Sequence, residues 1–205
     1  MANEKTFYLI RHAQSHPTSK CHYSEWPLSL IGSEQAEELS GLLEPLGIQK
    51  IFSSPFSRCL ETVEPFSRKS GVQLFVEDDL RERLVVKSLA EGFDEIWRKS
   101  WEDFNFALPG CENSTDAQMR FVTAVRRILG ESSEKTIGIS THGNVIGLFL
   151  SHIDCSFGRK EADKLMNPDV IRITVQNGLY TWDREFNLPG IDDIRTDHSE
   201  TPMDI

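Results

Sequence analysis

Four apolar residues, Phe7-Tyr8-Leu9-Ile10, followed at once by Arg11 and His12, constrain the fold of this chain more than any other stretch. A run that short reads as a buried strand, since a helix needs ten residues or more. It stops at a cation and an imidazole, and Ala13-Gln14-Ser15 then suit a turn. Ligands of open α/β sheets bind at the carboxyl ends of strands. Arg11 and His12 are therefore expected at the mouth of such a crevice. Taken alone, His12 fits equally well as a strand-end histidine satisfied by a neighbouring carbonyl.

The rest of the chain alternates short apolar runs with helical patterns. Residues 16–27 are polar and lack helical periodicity. A helix opens near residue 28 with Ser29 as its cap, shows Ala36, Leu39, Leu42, Leu43 and Leu46 to a core, and stops at Pro45 and Gly47. Residues 48–52 form a second strand. Ser54 and Pro55 suit the cap and first position of the next helix. Residues 72–76 are a third strand, followed by a charged run over 77–83. An aromatic helical segment spans 88–106, with Phe93, Ile96, Trp97, Trp101 and Phe104 on its core side, until Leu108-Pro109-Gly110 breaks it.

Asn113 caps a helix carrying Phe121, Val122, Val125, Ile128 and Leu129. Residues 136–140 are a fourth strand that runs into Thr141-His142-Gly143-Asn144 and an apolar helix. Near the end, Gln176-Asn177-Gly178 between residues 170–175 and 179–182 is a hairpin signal. The pattern predicts a three-layer α/β/α fold: a mostly parallel central sheet with helices on both faces and an antiparallel edge from the C-terminal hairpin. One domain is expected over residues 1–189, with an acidic, flexible tail from 190.

A formal charge of −10 argues against nucleic acid or anionic membrane as a partner. The cysteines, Cys21, Cys59, Cys111 and Cys155, are widely spaced and suggest neither a zinc site nor a disulfide framework. The first residues lack the pattern of a signal peptide. The longest apolar run, 145–150, is far short of a membrane span. A cytoplasmic protein is the expectation.

Several chemistries can be set aside. No G-x-x-x-x-G-K-[ST] loop is present, because Asn144 follows Gly143. No cysteine has an arginine six positions later, and there is no H-E-x-x-H helix. Gly138-Ile139-Ser140 lacks the second glycine of a nucleophile elbow. What remains is a set of residues at strand ends and helix starts: Arg11 and His12, Arg58 just after Ser54-Pro55, and His142-Gly143. Two guanidiniums, an imidazole and a helix N-terminus converging on one crevice would suit a phosphoryl group. Surface salt bridges for the arginines and a core hydrogen bond for His142 remain the plain alternatives.

With these residues in hand, the chain resembles the histidine phosphatase superfamily, the phosphoglycerate-mutase-like fold. The matching motifs are Leu9-Ile10-Arg11-His12, Leu28-Ser29 with Gly32 and Gln35-Ala36, and Ser53-Ser54-Pro55 with Arg58 and Thr62. Leu80 with Glu82, Glu112 with Arg120, and Thr141-His142-Gly143 complete the set. The resemblance implies that His12 attacks phosphorus and that Arg11, Arg58, His142 and Gly143 hold the phosphoryl oxygens. It also implies that Glu82 carries the proton of the leaving alcohol and then that of the incoming water. Activity is then expected to fall at low pH, where His12 protonates, and at high pH, where Glu82 no longer carries its proton. No cofactor and no metal are implied, and the partner is a small phosphorylated metabolite.

The chain departs from the family pattern at Ala13 (usually glycine), at Thr18 (usually asparagine), at Val85-Val86-Lys87 and at Asn113. Gln14, Ser15 and Thr18 are candidate substrate contacts, and residues 16–27 a candidate lid. A metal-independent phosphatase leads. A mutase using the same phosphohistidine, a phosphate-binding module without turnover and, distantly, a serine hydrolase built on Ser140 stand as alternatives.

Overall fold

The run at residues 7–10 lies inside β1 (Glu4–Arg11) of a computed structural model that describes residues 4–86 and 92–195. The other strands are β2 (Lys50–Ser53), β3 (Leu74–Val76), β4 (Thr136–Thr141), β5 (Asp169–Gln176) and β6 (Leu179–Trp182). They form one six-stranded sheet in the order β3-β2-β4-β1-β5-β6. The pairs β1–β4, β4–β2 and β2–β3 are parallel, whereas β5 runs antiparallel to both β1 and β6. Asn177 and Gly178, at φ 53° and 79°, supply the left-handed pair that a two-residue hairpin turn requires.

The helices are α1 (Leu30–Leu43), α2 (Ser57–Ser70), α3 (Phe93–Glu102), α4 (Ser114–Glu131), α5 (Gly143–Ile153) and the short α6 (Arg159–Ala162) and α7 (Ile191–Ile194). Because side chains alternate along a strand, β1 serves two cores. Phe7 and Leu9 pack with Phe121 and Val125 of α4 and Phe149 of α5. Tyr8 and Ile10 pack on the other face with Leu39 and Leu43 of α1, Val63 and Phe66 of α2 and Ile191 of α7. A sheet covered on both faces explains why the run is apolar without alternation.

Some boundaries differ from the sequence reading, each for a tertiary reason. Ser29 and Asn113 do cap α1 and α4, accepting from the amides of Gly32 and Asp116. Ser54 does not cap α2. That helix starts at Ser57 with Phe56 in the cap position; Ser54 Oγ accepts from the Phe56 amide at 3.3 Å and also meets His142 Nε2. The aromatic segment is helical only over α3, and residues 87–91 lie outside the described residues. Residues 190–195, expected in a flexible tail, are built into the fold. Ile191 and Ile194 are buried against α1, Gln35 Nε2 donates to the Ile194 carbonyl at 2.6 Å, and Arg195 pairs with Asp169. Residues 196–205 lie outside the described residues. Among the described residues no helix is long and apolar enough to cross a membrane.

Candidate active site

β1 and β4 are parallel neighbours, with Arg11 opposite Thr141 in register. The residues that follow them, His12 and His142, therefore leave the sheet at the same end. The amide of His12 donates to the Thr141 carbonyl at 3.1 Å, and the two imidazole centroids stand 5.2 Å apart. Both histidines are fully buried.

The hydrogen bonds of His12 fix its tautomer. Nδ1 lies 2.7 Å from the Ala13 carbonyl oxygen, which can only accept, so Nδ1 carries the proton. Nε2 is then a lone pair, and the Arg58 Nε–H donates to it at 3.2 Å. Two neighbours thus specify the same state: a neutral ring with Nε2 as the nucleophilic atom. The Ala13 amide donates to Thr62 Oγ1, and Asn167 Nδ2 donates to the His12 carbonyl, so the backbone on either side of the ring is also held. Ala13 takes this turn at negative φ. Among the described residues Asn177 is the one non-glycine at positive φ.

Arg58 sits in the first turn of α2 with no exposed surface. Its Nη1 donates to the Tyr23 carbonyl at 2.9 Å, and its Nη2 is buried with no hydrogen-bond partner among the described residues. Its guanidinium lies over the Phe56 ring at 5.1 Å. Arg11 donates from Nη1 to the Leu165 carbonyl at 2.6 Å. Its guanidinium lies where a side chain on Gly143 would have to be: a Cβ there would meet Arg11 Cζ at 2.7 Å. Glycine at this position is a matter of close approach to a cation rather than of backbone freedom.

His142 caps α5. Its Nε2 is 2.8 Å from Ser54 Oγ and 3.3 Å from Cys59 Sγ. Glu82 reaches the same helix end from another part of the chain. Its Oε2 accepts from the Asn144 amide at 3.0 Å, and its Oε1 accepts from the Val145 and Arg83 amides at 3.2 and 2.7 Å. A carboxylate on the first amides of a helix is favoured by their partial positive charge. The Tyr23 phenol stands in the same field: burial first, then the negative charge of Glu82, push it up, against a smaller opposing pull from Arg58.

The structure therefore gathers His12, Arg58, Arg11, Gly143, His142 and Glu82 around the start of α5 and the end of β1. It places the remaining candidates in the scaffold. Gln14 accepts from Ser29 Oγ through its side chain at 2.6 Å, and its amide donates to Gln35 Oε1. Ser15 forms a β-bridge with Leu28, and Thr18 accepts from the Lys20 amide and, at its carbonyl, from Trp26 Nε1. Ser140 donates to the Cys59 carbonyl. Sequence reasoning missed the parts of the site that have no local signature, namely Tyr23, Cys59 and Asn167. It also placed Ser54 on a helix cap, where the helical signal of Ser-Pro outweighed any hint of His142 across the fold.

A family model described as the histidine phosphatase superfamily (branch 1) matches residues 7–186. Among similar proteins is one of Schizosaccharomyces pombe named a probable phosphatase, 28% identical over 71% of this chain and 71% of its own length. Another, of Proteus mirabilis, is named a probable phosphoglycerate mutase and is 24% identical over 83% and 85%. A phosphoglycerate mutase structure from Bacillus anthracis superposes with a TM-score of 0.75 at 19% identity, covering 94% of this chain and 97% of that one. A mycobacterial glucosyl-3-phosphoglycerate phosphatase in complex with VO3 gives 0.73 at 20%, covering 87% and 97%. These likenesses fix the fold.

Proposed function

Since the chain belongs to the histidine phosphatase superfamily, we propose that it hydrolyses a small phosphomonoester, without a metal ion, through a phosphohistidine on His12. The observation that carries this reading is the state of His12. Its Nδ1–H is bound to a carbonyl, its Nε2 lone pair faces Arg58, and the buried Arg58 Nη2 beside it has no hydrogen-bond partner among the described residues. A buried donor left unpaired costs about 1–3 kcal/mol, and a bound anion would recover it.

In the first half of the reaction His12 Nε2 forms a bond to phosphorus as the ester P–O bond breaks. Glu82 gives its proton to the departing alcohol. In the second half Glu82 takes a proton from water, the water oxygen bonds to phosphorus, and the P–N bond breaks to restore His12. Arg11, Arg58 and His142 stabilise the charge that spreads over the equatorial oxygens, work done by position and electrostatics rather than by covalent chemistry. The first amides of α5 orient the Glu82 side chain and hold it as a carboxylate once its proton has gone to the alcohol.

Turnover of p-nitrophenyl phosphate in EDTA, an acid-labile label on His12 during turnover of a labelled ester, and loss of both in His12→Ala are the expected results. Activity that survives His12→Ala would overturn the proposal. Release of a rearranged phosphoester in place of inorganic phosphate would identify a mutase with the same nucleophile. Binding of inorganic phosphate with no turnover of any ester would leave a recognition module.

A further inference from the structure

Glu82 belongs to no helix or strand. It lies between a short 3-10 turn at Asp78–Leu80 and residues outside the described set, so regular secondary structure does not determine where its carboxylate goes. Tertiary hydrogen bonds do. Arg120 Nη1 donates to the carbonyls of Asp79 and Arg81 at 2.7 and 3.0 Å, while its Nε and Nη2 fork onto the two carboxylate oxygens of Glu112 at 2.9 and 2.8 Å. The Glu112 amide donates to the Leu84 carbonyl at 3.0 Å. Arg83 completes the set. Its Nε donates to the Glu112 carbonyl at 2.8 Å and its Nη1 to Ser114 Oγ at 2.7 Å, and that hydroxyl donates onward to the Ser100 carbonyl.

We infer that Arg83 is a positioning residue for Glu82: its guanidinium, anchored on the Glu112 carbonyl and the Ser114 hydroxyl, fixes the peptide whose N–H holds the Glu82 carboxylate. Arg83 is only 2% exposed, and the acceptors its guanidinium contacts are neutral. Burial holds its pKa below the usual arginine value, only partly opposed by the charges of Glu82 and Glu112. An apolar residue of the same size would fill that space at a smaller desolvation cost. What an apolar residue lacks is the pair of directed bonds from the side chain of residue 83 to the start of α4, while its amide donates to Glu82 Oε1 at 2.7 Å. A proton carrier must reach the leaving oxygen within hydrogen-bond distance, and an error of about 1 Å costs on the order of 100-fold in rate.

The inference rests on the proposed role of Glu82, and the test separates the two. Arg83→Met, Arg83→Lys, Ser114→Ala and Glu82→Gln are compared on p-nitrophenyl phosphate, whose leaving group needs little protonation, and on glycerol 3-phosphate, whose leaving group needs it. Glu82→Gln is expected to lose on the order of 100-fold in kcat/KM on the alkyl ester and under about 10-fold on the aryl ester. Arg83→Met should show the same asymmetry at about 30-fold, Ser114→Ala at about 3-fold, and Arg83→Lys should recover part of the loss. Inhibition by inorganic phosphate should be unchanged in all four.

If Glu82→Gln discriminates between the esters and neither Arg83→Met nor Ser114→Ala does, Glu82 keeps its role and the inference about Arg83 is overturned. Equal losses on both esters in the Arg83 and Ser114 variants, with weaker phosphate inhibition, would mark a merely structural arginine. If Glu82→Gln itself shows no asymmetry, the proton-carrier role fails and the positioning role falls with it. Should Arg83→Met fail to fold, Ser114→Ala and Arg83→Lys decide the question alone.

Discussion

The two sides of the candidate site are built in different ways. On the side proposed to hold the phosphoryl group, His12 follows β1 directly, His142 follows β4 and takes the cap position of α5, and Arg58 stands in the first turn of α2. Regular backbone carries each of them or ends just before it, and His12 meets Arg58 and Thr141 across neighbouring strand and helix ends. On the side proposed to face the leaving group, Glu82, Tyr23, Trp26, Val85 and Val86 lie outside every strand and α-helix. Trp26, Val85 and Val86 form a small apolar cluster of their own, flanked by Cys21, Tyr23, Phe93, Ile96 and Leu108. Segment 16–27 is anchored in that cluster through Trp26 and joins the other side where the Tyr23 carbonyl accepts from Arg58.

A phosphoryl group has the same shape in every monoester, so rigid elements can hold its pocket. The alcohol differs between substrates, and the irregular side can change without disturbing the nucleophile. The departures from the family pattern at Thr18 and Val85-Val86 fall on that second side.

The largest test of this contrast is Arg58→Met. It removes the donor on the His12 lone pair and the unpartnered Nη2, and kcat/KM should fall about 1000-fold on aryl and alkyl esters alike. A loss confined to one ester class would break the division between the two sides. Gly143→Ala comes next. Its Cβ would collide with Arg11 at 2.7 Å and must push the guanidinium aside. A loss of about 10- to 100-fold, again equal for both esters, is expected from misplacing one phosphate ligand. Unchanged kinetics there would remove Arg11 from the pocket.

The smallest effect belongs to neither side. Asp154 is held down at about 2 by hydrogen bonds from Arg184 and then from Ser156. Its folded value is depressed, so its contribution is present above the unfolded value near 4 and is lost as pH falls toward 2. Because the pair is partly exposed and screened by solvent, Asp154→Asn should cost under about 1 kcal/mol at pH 7 with no change in kcat/KM. The gap in melting temperature from wild type should close on acidification, and a gap that widened would contradict the sign.

Much of this architecture was legible in the residues. The apolar run at 7–10 announced a strand buried on both faces, and its position between α4–α5 and α1–α2 confirms why alternation was absent. Ser29, Asn113 and the Asn177-Gly178 turn were readable because caps and tight turns act within a few residues of themselves. Ile191 and Ile194 were misread as part of a polar tail. Two isoleucines among acids give no periodic signal, and only the groove beside α1 makes them core.

The sequence by itself determined which residues stand at the ends of strands and the starts of helices, because those preferences are local. Only the tertiary structure decided what they meet: Ser54 on His142, the His12 lone pair under Arg58, Arg11 in the space left by Gly143, and Glu82 on the first amides of α5. Each of these joins residues from 46 to 132 positions apart. Propensity falls off within a turn or two, and contacts at that separation come from the register of β1 against β4 and the packing that follows from it.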